Sequence, residues 1–361
     1  MPETPLRGQL STRDRIRWAT PEEVSQWDAH ITGPGMRSYV LQARGFAAAK
    51  HTAGWTPRYL VIDETVFVLA LEKRIPLLGR IWYIPKGPAV AHAAEVAGLL
   101  APLRALAREQ QVFLVSIDPQ IPVAEEPELR ATGLEPRNPV QMTSSTIEVD
   151  LSQGFDQVMA QASSKLRHGA RKAAKLGVVP GEEPVTETAM RAFYDLLIET
   201  AHGAGFPSRP YAYYEAFWYS YAKAGEGHLF FSRHEGEVVT GAYVILLGDT
   251  AYYKDGASRR KRSAYGTSDA LQLHILEWLT SEHPEITRYD MMGCPPASEL
   301  HNTEHPLYGI GFFKKKVSEN VVDYTGAFDL VIRPRRTRLW RRIGWPLAAR
   351  WAVRVQHQTF Y

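Results

Sequence analysis

The chain has 361 residues, more than one hydrophobic core usually supports, and this length predicts two domains. Hydrophobic residues make up 45% of it and charged residues 22%, as is usual for a soluble globular protein. The single cysteine, Cys294, excludes an intramolecular disulfide and a zinc site built on cysteines. No run of residues approaches the roughly 18 apolar residues of a membrane span.

The first half of the chain is predicted to form strands around one helix. Its elements are, in order, strands at 58–62, 66–73 and 80–85, a helix at 94–110 and a buried strand at 112–119. A turn at Asp63–Glu64 separates the first two strands, and Pro102 either starts or interrupts the helix.

The second half repeats this succession. A helix at 188–203 precedes three strands within 228–258, a helix at 268–283 capped by Ser268 or Asp269, and a strand at 288–293. Three strands, a helix and a strand thus occur twice, which predicts a duplicated mixed α/β unit.

Basic residues are concentrated although the net charge is only +3. The stretch from Lys165 to Lys175 carries five Lys/Arg and no acid, and that from Arg333 to Arg354 carries eight arginines and no acid. Such clusters indicate an anionic partner, namely nucleic acid, a phosphorylated ligand or an acidic membrane. The alternative for any one cluster is a solvated face balanced by acids elsewhere.

Two terminal segments bear on location. The N-terminal sequence MPETPLRGQLSTRDR lacks the apolar core of a signal peptide, so we expect a cytoplasmic protein. In the tail, Trp340, Trp345 and Trp351 alternate with arginines. The tail is expected either to lie on the inner face of the plasma membrane or to pack back on the protein body.

Seven segments together resemble the FemABX family of peptidoglycan aminoacyltransferases, over residues 14–335. They are YVLQARGFAAAKHTAGW (39–55), YIPKGPAV (83–90), KLRHGARKAAKLGV (165–178), GFPSRPYAYYEAFW (205–218), GDTAYYKDGAS (248–258), YDMMG (289–293) and GIGFFKKKVSE (309–319). The resemblance implies an α/β (α+β) fold of two tandem GNAT-like domains with mixed sheets, in a short form without a coiled-coil arm. It places the first domain at 1–150 plus 325–361 and the second at 151–324.

The resemblance also implies an activity and its residues. The activity is transfer of an amino acid from aminoacyl-tRNA to the stem-peptide amine of a peptidoglycan precursor, either lipid II or UDP-MurNAc-pentapeptide, with no cofactor and no metal. Catalytic roles are implied for Lys314 and Phe313. Precursor binding is implied for Lys50, Tyr83, Arg209, Tyr213 and Tyr253, with Tyr252 as the alternative to Tyr253. Binding of tRNA is assigned to Lys165, Arg167, Arg171, Lys175 and Lys316.

Elementary chemistry fits these roles. Aminolysis of an ester needs an aligned amine and a stabilised oxyanion. The Lys314 ammonium would stabilise the oxyanion. Phe313 would stack on the terminal adenine of tRNA. We expect residues 309–318 to form a strand, with Lys314 and Lys316 on one face and Lys315 on the other. Gly309 and Gly311 would then let the backbone approach a ligand.

A protein base and two rival functions stay open. Asp255, Asp269 and Asp290 are the candidate bases. One rival is an acyl-CoA-dependent N-acyltransferase, although RSAYGTSDA (262–270) matches the pyrophosphate-binding signature of such enzymes poorly. The other is a non-catalytic RNA-binding or scaffold protein with a basic surface.

Overall fold

The computed structural model describes residues 11–33, 39–141, 143–204, 208–259, 261, 264–355 and 360–361. These residues form two seven-stranded sheets. In chain order the strands are β1 Ile16–Trp18, β2 Thr56–Ile62, β3 Val66–Ile75, β4 Gly79–Ile84, β5 Val112–Ile117, β6 Glu135–Pro136, β7 Ser145–Asp150, β8 Val179–Glu183, β9 Gly227–His234, β10 Glu237–Leu247, β11 Thr250–Ser258, β12 Arg288–Gly293, β13 Val321–Asp323 and β14 Phe328–Val331.

Helices cover these sheets and connect their strands. The α-helices are α1 Pro21–Ser25, α2 Trp27–Ile31, α3 Arg44–Thr52, α4 Ala93–Glu109, α5 Glu126–Ala131, α6 Phe155–Gln161, α7 Ser164–Lys175, α8 Glu187–Ala204, α9 Tyr211–Lys223, α10 Thr267–Glu282, α11 Tyr308–Lys314, α12 Pro334–Leu339 and α13 Trp345–Val355. A π-helical turn, Trp340–Gly344, joins α12 to α13. In the described part of the chain, no helix has the length and apolarity needed to cross a membrane.

The two sheets follow one plan. The strand order is β1-β2-β3-β4-β5-β14-β6 in the first and β13-β7-β12-β11-β10-β9-β8 in the second. All neighbours are antiparallel except one pair in each sheet, β4 with β5 and β11 with β12, and a helix crosses over between the strands of each pair. The predicted duplicated α/β unit with mixed sheets is therefore confirmed.

The predicted domain boundary at 150 differs from the strand pairing. β7, at 145–150, pairs with β12 and β13 in the second sheet, whereas β14 returns to pair with β5 in the first. The second sheet thus consists of the consecutive strands β7 to β13, and the first takes β14 from beyond them in the chain.

The helix over Pro102 is continuous. The proline leaves the carbonyl of Gly98 without an intrahelical donor, and the guanidinium of Arg15 donates to that oxygen at 3.3 Å. The predicted caps Ser268 and Asp269 lie inside α10, because Gly266 in the left-handed conformation precedes the helix.

The strand expected at 309–318 is wrong. Residues 308–314 form α11, and a turn follows it. The helix packs closely on Pro295, because a Cβ at Gly311 would lie 2.7 Å from the proline ring. Gly311 and Lys314, one helical turn apart, face inward, and Phe312 is exposed. Gly311 therefore serves helix packing.

The two units share a hydrophobic core. One cluster of buried side chains includes Trp55 and Phe113 from the first unit and Trp218 from the second. Where α3 packs on α9, a Cβ at Gly45 would lie 2.8 Å from the ring of Tyr221, whose hydroxyl donates to the carbonyl of Val40. This shared packing fixes the positions of the two units, both of which contribute residues to the candidate site.

The C-terminal helices pack against the first unit through one face only. Trp340 is buried against the ring of Phe113, and the hydroxyl of Thr337 donates to the carbonyl of Phe113. Trp345 is half-buried and Trp351 is 53% exposed. Two of the three tail tryptophans therefore pack on the body.

Candidate active site

A buried lysine marks the centre of the candidate site. Lys50 on α3 is 4% exposed, and its Nζ lies 5.3 Å from the ring centroid of Phe46 and 5.5 Å from that of Tyr213. Within the described residues it forms no ion pair. Burial lowers the pKa of Lys50 well below its ordinary value, and the nearby cations Arg209, Lys73 and Lys254 lower it further.

The second unit brings two more cations to this place. The guanidinium of Arg209, just before α9, lies 4.5 Å from the ring centroid of Tyr213, so this ring has contacts with both Arg209 and Lys50. Lys254 on β11 lies 4.9 Å from the ring of Phe217 and pairs with Asp255 at 3.0 Å. The structure thus brings together the predicted residues Lys50, Arg209 and Tyr213.

Tyr83 lies in a buried polar cluster where β4 and β5 end. Its hydroxyl accepts a hydrogen bond from the side chain of Gln141 at 2.8 Å and lies 3.4 Å from the carboxylate of Asp118. The ammonium of Lys86 lies 3.7 Å from the same carboxylate. Burial raises the pKa of Asp118, and the Lys86 charge opposes that rise.

Asp118 and Lys86 are not among the site residues predicted from the sequence. Each follows a strand of the parallel pair β4 and β5, whose carboxyl ends lie side by side. An acidic residue directly after the buried strand VFLVSI was the available signal, since such strand ends commonly carry functional groups in α/β folds.

Residue Tyr361 connects this cluster with the cations. Its ring lies 5.2 Å from that of Tyr83 and 5.0 Å from the guanidinium of Arg137. It stacks on Trp55 at 5.5 Å, and its main-chain oxygen accepts a hydrogen bond from Arg209. The chain's own Tyr361 therefore lies against both Tyr83 and Arg209 of the candidate site.

Lys314 is held by main-chain carbonyls. Its Nζ donates to the oxygens of Met292 at 3.1 Å and Gly293 at 2.8 Å, and it lies 5.9 Å from the ring centroid of Tyr253. Burial lowers the pKa of Lys314 to about 8, and the cation of Lys254 contributes in the same direction. Lys254 also lowers the pKa of Lys50, so its charge acts on both predicted parts of the site.

Asp290 is the buried acid nearest to this lysine among the predicted bases. It accepts hydrogen bonds from the hydroxyl of Thr146 and, at 2.6 Å, from the main chain of Met292. Burial raises its pKa to about 6. The other two predicted bases are paired, Asp255 with Lys254 and Asp269 with Lys316.

The neighbours of Lys314 lie in different surroundings. Phe313 is half-buried and lies 6.3 Å from the ring of Tyr253, whereas Phe312 is 40% exposed. Both carboxylate oxygens of Asp269 accept from Lys316, at 2.7 and 3.0 Å. Lys315 lies 3.2 Å from the Nδ1 atom of His301. The expected common face of Lys314 and Lys316 is therefore absent from this helix and turn.

Helix α7 divides its basic residues between two roles. Lys165, Arg171 and Lys175 are exposed. Arg167 is half-buried, and its guanidinium donates to the carbonyls of Met159 and Ala162 at the end of α6. Arg167 therefore fixes the junction of two helices, and the exposed basic side chains surround it.

The same helix covers the N-terminus of α10. A Cβ at Gly266 would lie 2.7 Å from the carbonyl carbon of Gly169, and the Gly169 backbone also lies against the carboxylate of Asp269. Exposed helix N-termini attract phosphates, but α7 occupies this one. Of the rival acyl-CoA motif at 262–270, positions 262 and 263 lie outside the described residues.

The described residues contain no group of three or more His, Cys, Asp or Glu side chains able to hold a metal ion. Cys294 is buried, and burial raises the pKa of its thiol to about 12, so it is a protonated core residue.

Comparisons with known proteins agree with the duplicated sheets. Residues 160–301 match the family model described as an acetyltransferase (GNAT) domain. The crystal structure of FemX is similar at a TM-score of 0.75 with 18% identity, covering 91% of this chain and 99% of that chain. The chain has the FemX fold, two GNAT-like units in tandem.

Two further solved structures are similar at lower TM-scores. The C-terminal domain of a putative lysylphosphatidylglycerol synthetase from Agrobacterium fabrum gives a TM-score of 0.53 with 12% identity, covering 88% of this chain and 97% of that one. A conserved protein of unknown function from Bacteroides thetaiotaomicron gives 0.54 with 12% identity, covering 87% and 98%. No curated protein matches the chain. The GNAT match and the FemX-like fold support an acyltransferase.

Proposed function

We propose that this FemX-like protein transfers an amino acid from aminoacyl-tRNA to the stem-peptide amine of a peptidoglycan precursor and so builds an interpeptide bridge. The observation that carries the proposal is the buried amino group of Lys50, which lacks a carboxylate partner among the described residues and shares the Tyr213 ring with the guanidinium of Arg209. A buried charge is costly unless something compensates it.

A diphosphate group would compensate this charge. Lipid II and UDP-MurNAc-pentapeptide both contain one, and arginine suits it because its planar fork binds two phosphate oxygens at once. The diphosphate would take the place of the Tyr361 oxygen on Arg209. Tyr83 and Tyr213 would then contact the part of the precursor next to the diphosphate. Tyr253 lies closer to Lys314.

The reaction forms a C–N bond between the precursor amine and the aminoacyl carbonyl and breaks the ester C–O bond to the tRNA ribose. The amine reacts as the neutral base, and the ribose oxygen leaves with a proton. Lys314 is proposed to stabilise the oxyanion, because carbonyls and not a carboxylate hold its ammonium, so that its charge stays available. Phe313 is proposed to support the terminal adenine.

The acceptor arm of tRNA is proposed to lie along α7. Lys165, Arg171 and Lys175 have the exposure that phosphate contacts need, and such contacts position nucleic acid without reading its sequence. Arg167 and Lys316, predicted for the same purpose, already bind carbonyls and a carboxylate, so a smaller share of tRNA affinity is expected from them.

Transfer from acyl-CoA is the rival within the fold. It is disfavoured in the second unit because α7 occupies the N-terminus of α10, the end at which a pyrophosphate would be bound. A non-catalytic RNA-binding protein would need the exposed basic face of α7 but not the buried Lys50. That function therefore does not explain why Lys50 is buried beside Tyr213 and Arg209.

A transfer assay with purified protein tests the proposal. Labelled amino acids on tRNA are offered with UDP-MurNAc-pentapeptide or lipid II, and labelled acyl-CoA is offered in parallel. We expect label on the precursor from tRNA alone. Arg209→Lys should weaken precursor binding, while the exposed Lys223→Gln serves as the matched control. Label transferred from acyl-CoA and not from tRNA refutes the proposal.

A further inference from the structure

The C-terminal helices present an apolar stripe to solvent. Leu339, Ile343, Leu347 and Trp351 are 47%, 50%, 60% and 53% exposed, and they follow one another at intervals of four residues. In an α-helix each such step drifts around the axis by about 40°. The wider π-helical turn at 340–344 counteracts this drift, so the four side chains stay on one face. We call them the C-terminal stripe.

The opposite face of these helices is already satisfied. Thr337, Trp340 and Ala352 are buried, and Ala348 packs against the core. An ordinary surface helix buries its apolar face and exposes a polar one. Here the face opposite the buried one is also apolar. Apolar side chains aligned over three helical turns indicate a surface that something else covers.

Exposed arginines flank the stripe. They are Arg335, Arg338, Arg342, Arg350 and Arg354, and no acidic residue occurs between 333 and 354. Among the described residues, the only carboxylate pairs formed by this segment are those of Arg341 with Glu135 and Asp329. Like charges four residues apart, such as Arg338 and Arg342, destabilise a helix unless an anionic surface compensates them.

We propose that the C-terminal stripe and its arginines lie on the surface of an anionic lipid bilayer. The apolar side chains would insert at the boundary of the acyl chains, and the guanidinium groups would bind headgroup phosphates. Neither a second copy of this protein nor nucleic acid would satisfy both sets of side chains. A second copy of this face would bring arginine against arginine, and nucleic acid would leave the apolar stripe against phosphates. The fully exposed Leu77 lies at one end of the same surface, where Arg336 donates to the carbonyl of Leu78.

Vesicle co-sedimentation of the full chain tests the proposal, with phosphatidylcholine vesicles that contain or lack phosphatidylglycerol. We expect binding only where phosphatidylglycerol is present. The combined variant Ile343→Ser, Leu347→Ser and Trp351→Ser should bind about tenfold more weakly. The combined variant Arg338→Gln, Arg342→Gln and Arg350→Gln should lose about 100-fold, since each arginine near an anionic surface contributes about fivefold.

Matched controls use exposed residues elsewhere. Val123→Ser with Val179→Ser removes comparable apolar side chains, and Arg108→Gln with Lys223→Gln removes comparable charges; all four residues are exposed. Both control variants should bind anionic vesicles as the unchanged protein does. Thermal unfolding of every variant verifies that each is folded.

Three outcomes would overturn the membrane assignment. The unchanged protein fails to bind phosphatidylglycerol vesicles, the serine variant binds them undiminished, or the stripe substitutions abolish a dimer and leave vesicle binding intact. The assignment does not depend on the proposed reaction, because no stripe residue belongs to the candidate site around Lys50. Transfer to the soluble UDP-linked precursor should therefore proceed at an unchanged rate in the stripe variants.

Discussion

Replacing Lys50 by methionine is expected to stabilise the free protein and to weaken its binding of a diphosphate. The side chain lies among the rings of Phe46 and Tyr213 with no ion pair in the described part of the chain. A buried amine without an ion pair has lost its hydration and gained no compensating attraction, so an apolar group of similar volume should stabilise the protein by about 2 kcal/mol at neutral pH. Loss of a charged phosphate contact costs about 1.5–3 kcal/mol, which raises the Kd for the UDP-linked precursor about 10- to 100-fold.

The dependence of stability on pH gives a second signature of Lys50. Burial lowers the pKa of Lys50 in the folded protein, so between that pKa and its ordinary value of 10.5 the unfolded chain binds more protons than the folded one. The free energy of unfolding therefore increases with pH across this interval. The Lys50→Met variant should lose this part of the slope.

Lys86 supplies the matched control. It is also a buried lysine of the first unit, but its ammonium lies 3.7 Å from the carboxylate of Asp118. Lys86→Met strands that buried carboxylate and should destabilise the protein by about 3 to 5 kcal/mol. Urea denaturation gives both stabilities, and titration calorimetry gives the Kd values. If Lys50→Met destabilises the protein as much as Lys86→Met does, Lys50 is a structural residue and the argument for a diphosphate site fails.

Three further predictions concern other parts of the site. Lys314→Ala should lower the transfer rate about 10²- to 10³-fold with precursor affinity unchanged, and an equal loss of precursor binding in this variant would contradict the role of Lys314. In the unchanged protein the transfer rate should fall as pH rises through about 8, where Lys314 loses its proton. Gly169→Val should destabilise by about 3 kcal/mol in urea denaturation, because its side chain collides with the carboxylate of Asp269, and an unchanged stability would contradict the packing of α7 on α10. Deleting residues 360 and 361 should lower the precursor Kd severalfold by calorimetry, because the main-chain oxygen of Tyr361 occupies Arg209 and its ring covers Tyr83; a higher Kd would mean that these two residues help to bind the precursor.

The sheets could be predicted from sequence because their signals are local and long. The strands between 227 and 258 are separated by turns at Glu235–Gly236 and Gly248, all three of which have positive φ. The partners of β7 and β14 had no such local signal. β7 pairs with β12, about 140 residues later in the chain, and β14 pairs with β5, more than 200 residues earlier. Neither segment differs in composition from an ordinary strand, and only the family resemblance placed residues 325–361 with the first unit.

The candidate site was predictable only where a residue type carried its own chemistry. The resemblance pointed to Lys50 and Arg209, and the structure brings both to the ring of Tyr213. Asp118 was missed because an aspartate followed by proline is also an ordinary turn. Its burial beside Lys86, which distinguishes it from a turn residue, is a property of the assembled sheet.

The triple lysine at 314–316 shows why charge in sequence does not determine charge in a site. Glycine at 311 lets α11 approach Pro295 and buries Lys314 against two carbonyls, which orient its ammonium without neutralising it. Lys316, two residues on, pairs with the carboxylate of Asp269 and contributes little net field. Lys314 can stabilise a developing oxyanion, whereas the charge of Lys316 is already largely balanced by the carboxylate of Asp269. The difference between these two lysines comes from their partners, and it makes Lys314 the stronger catalytic candidate.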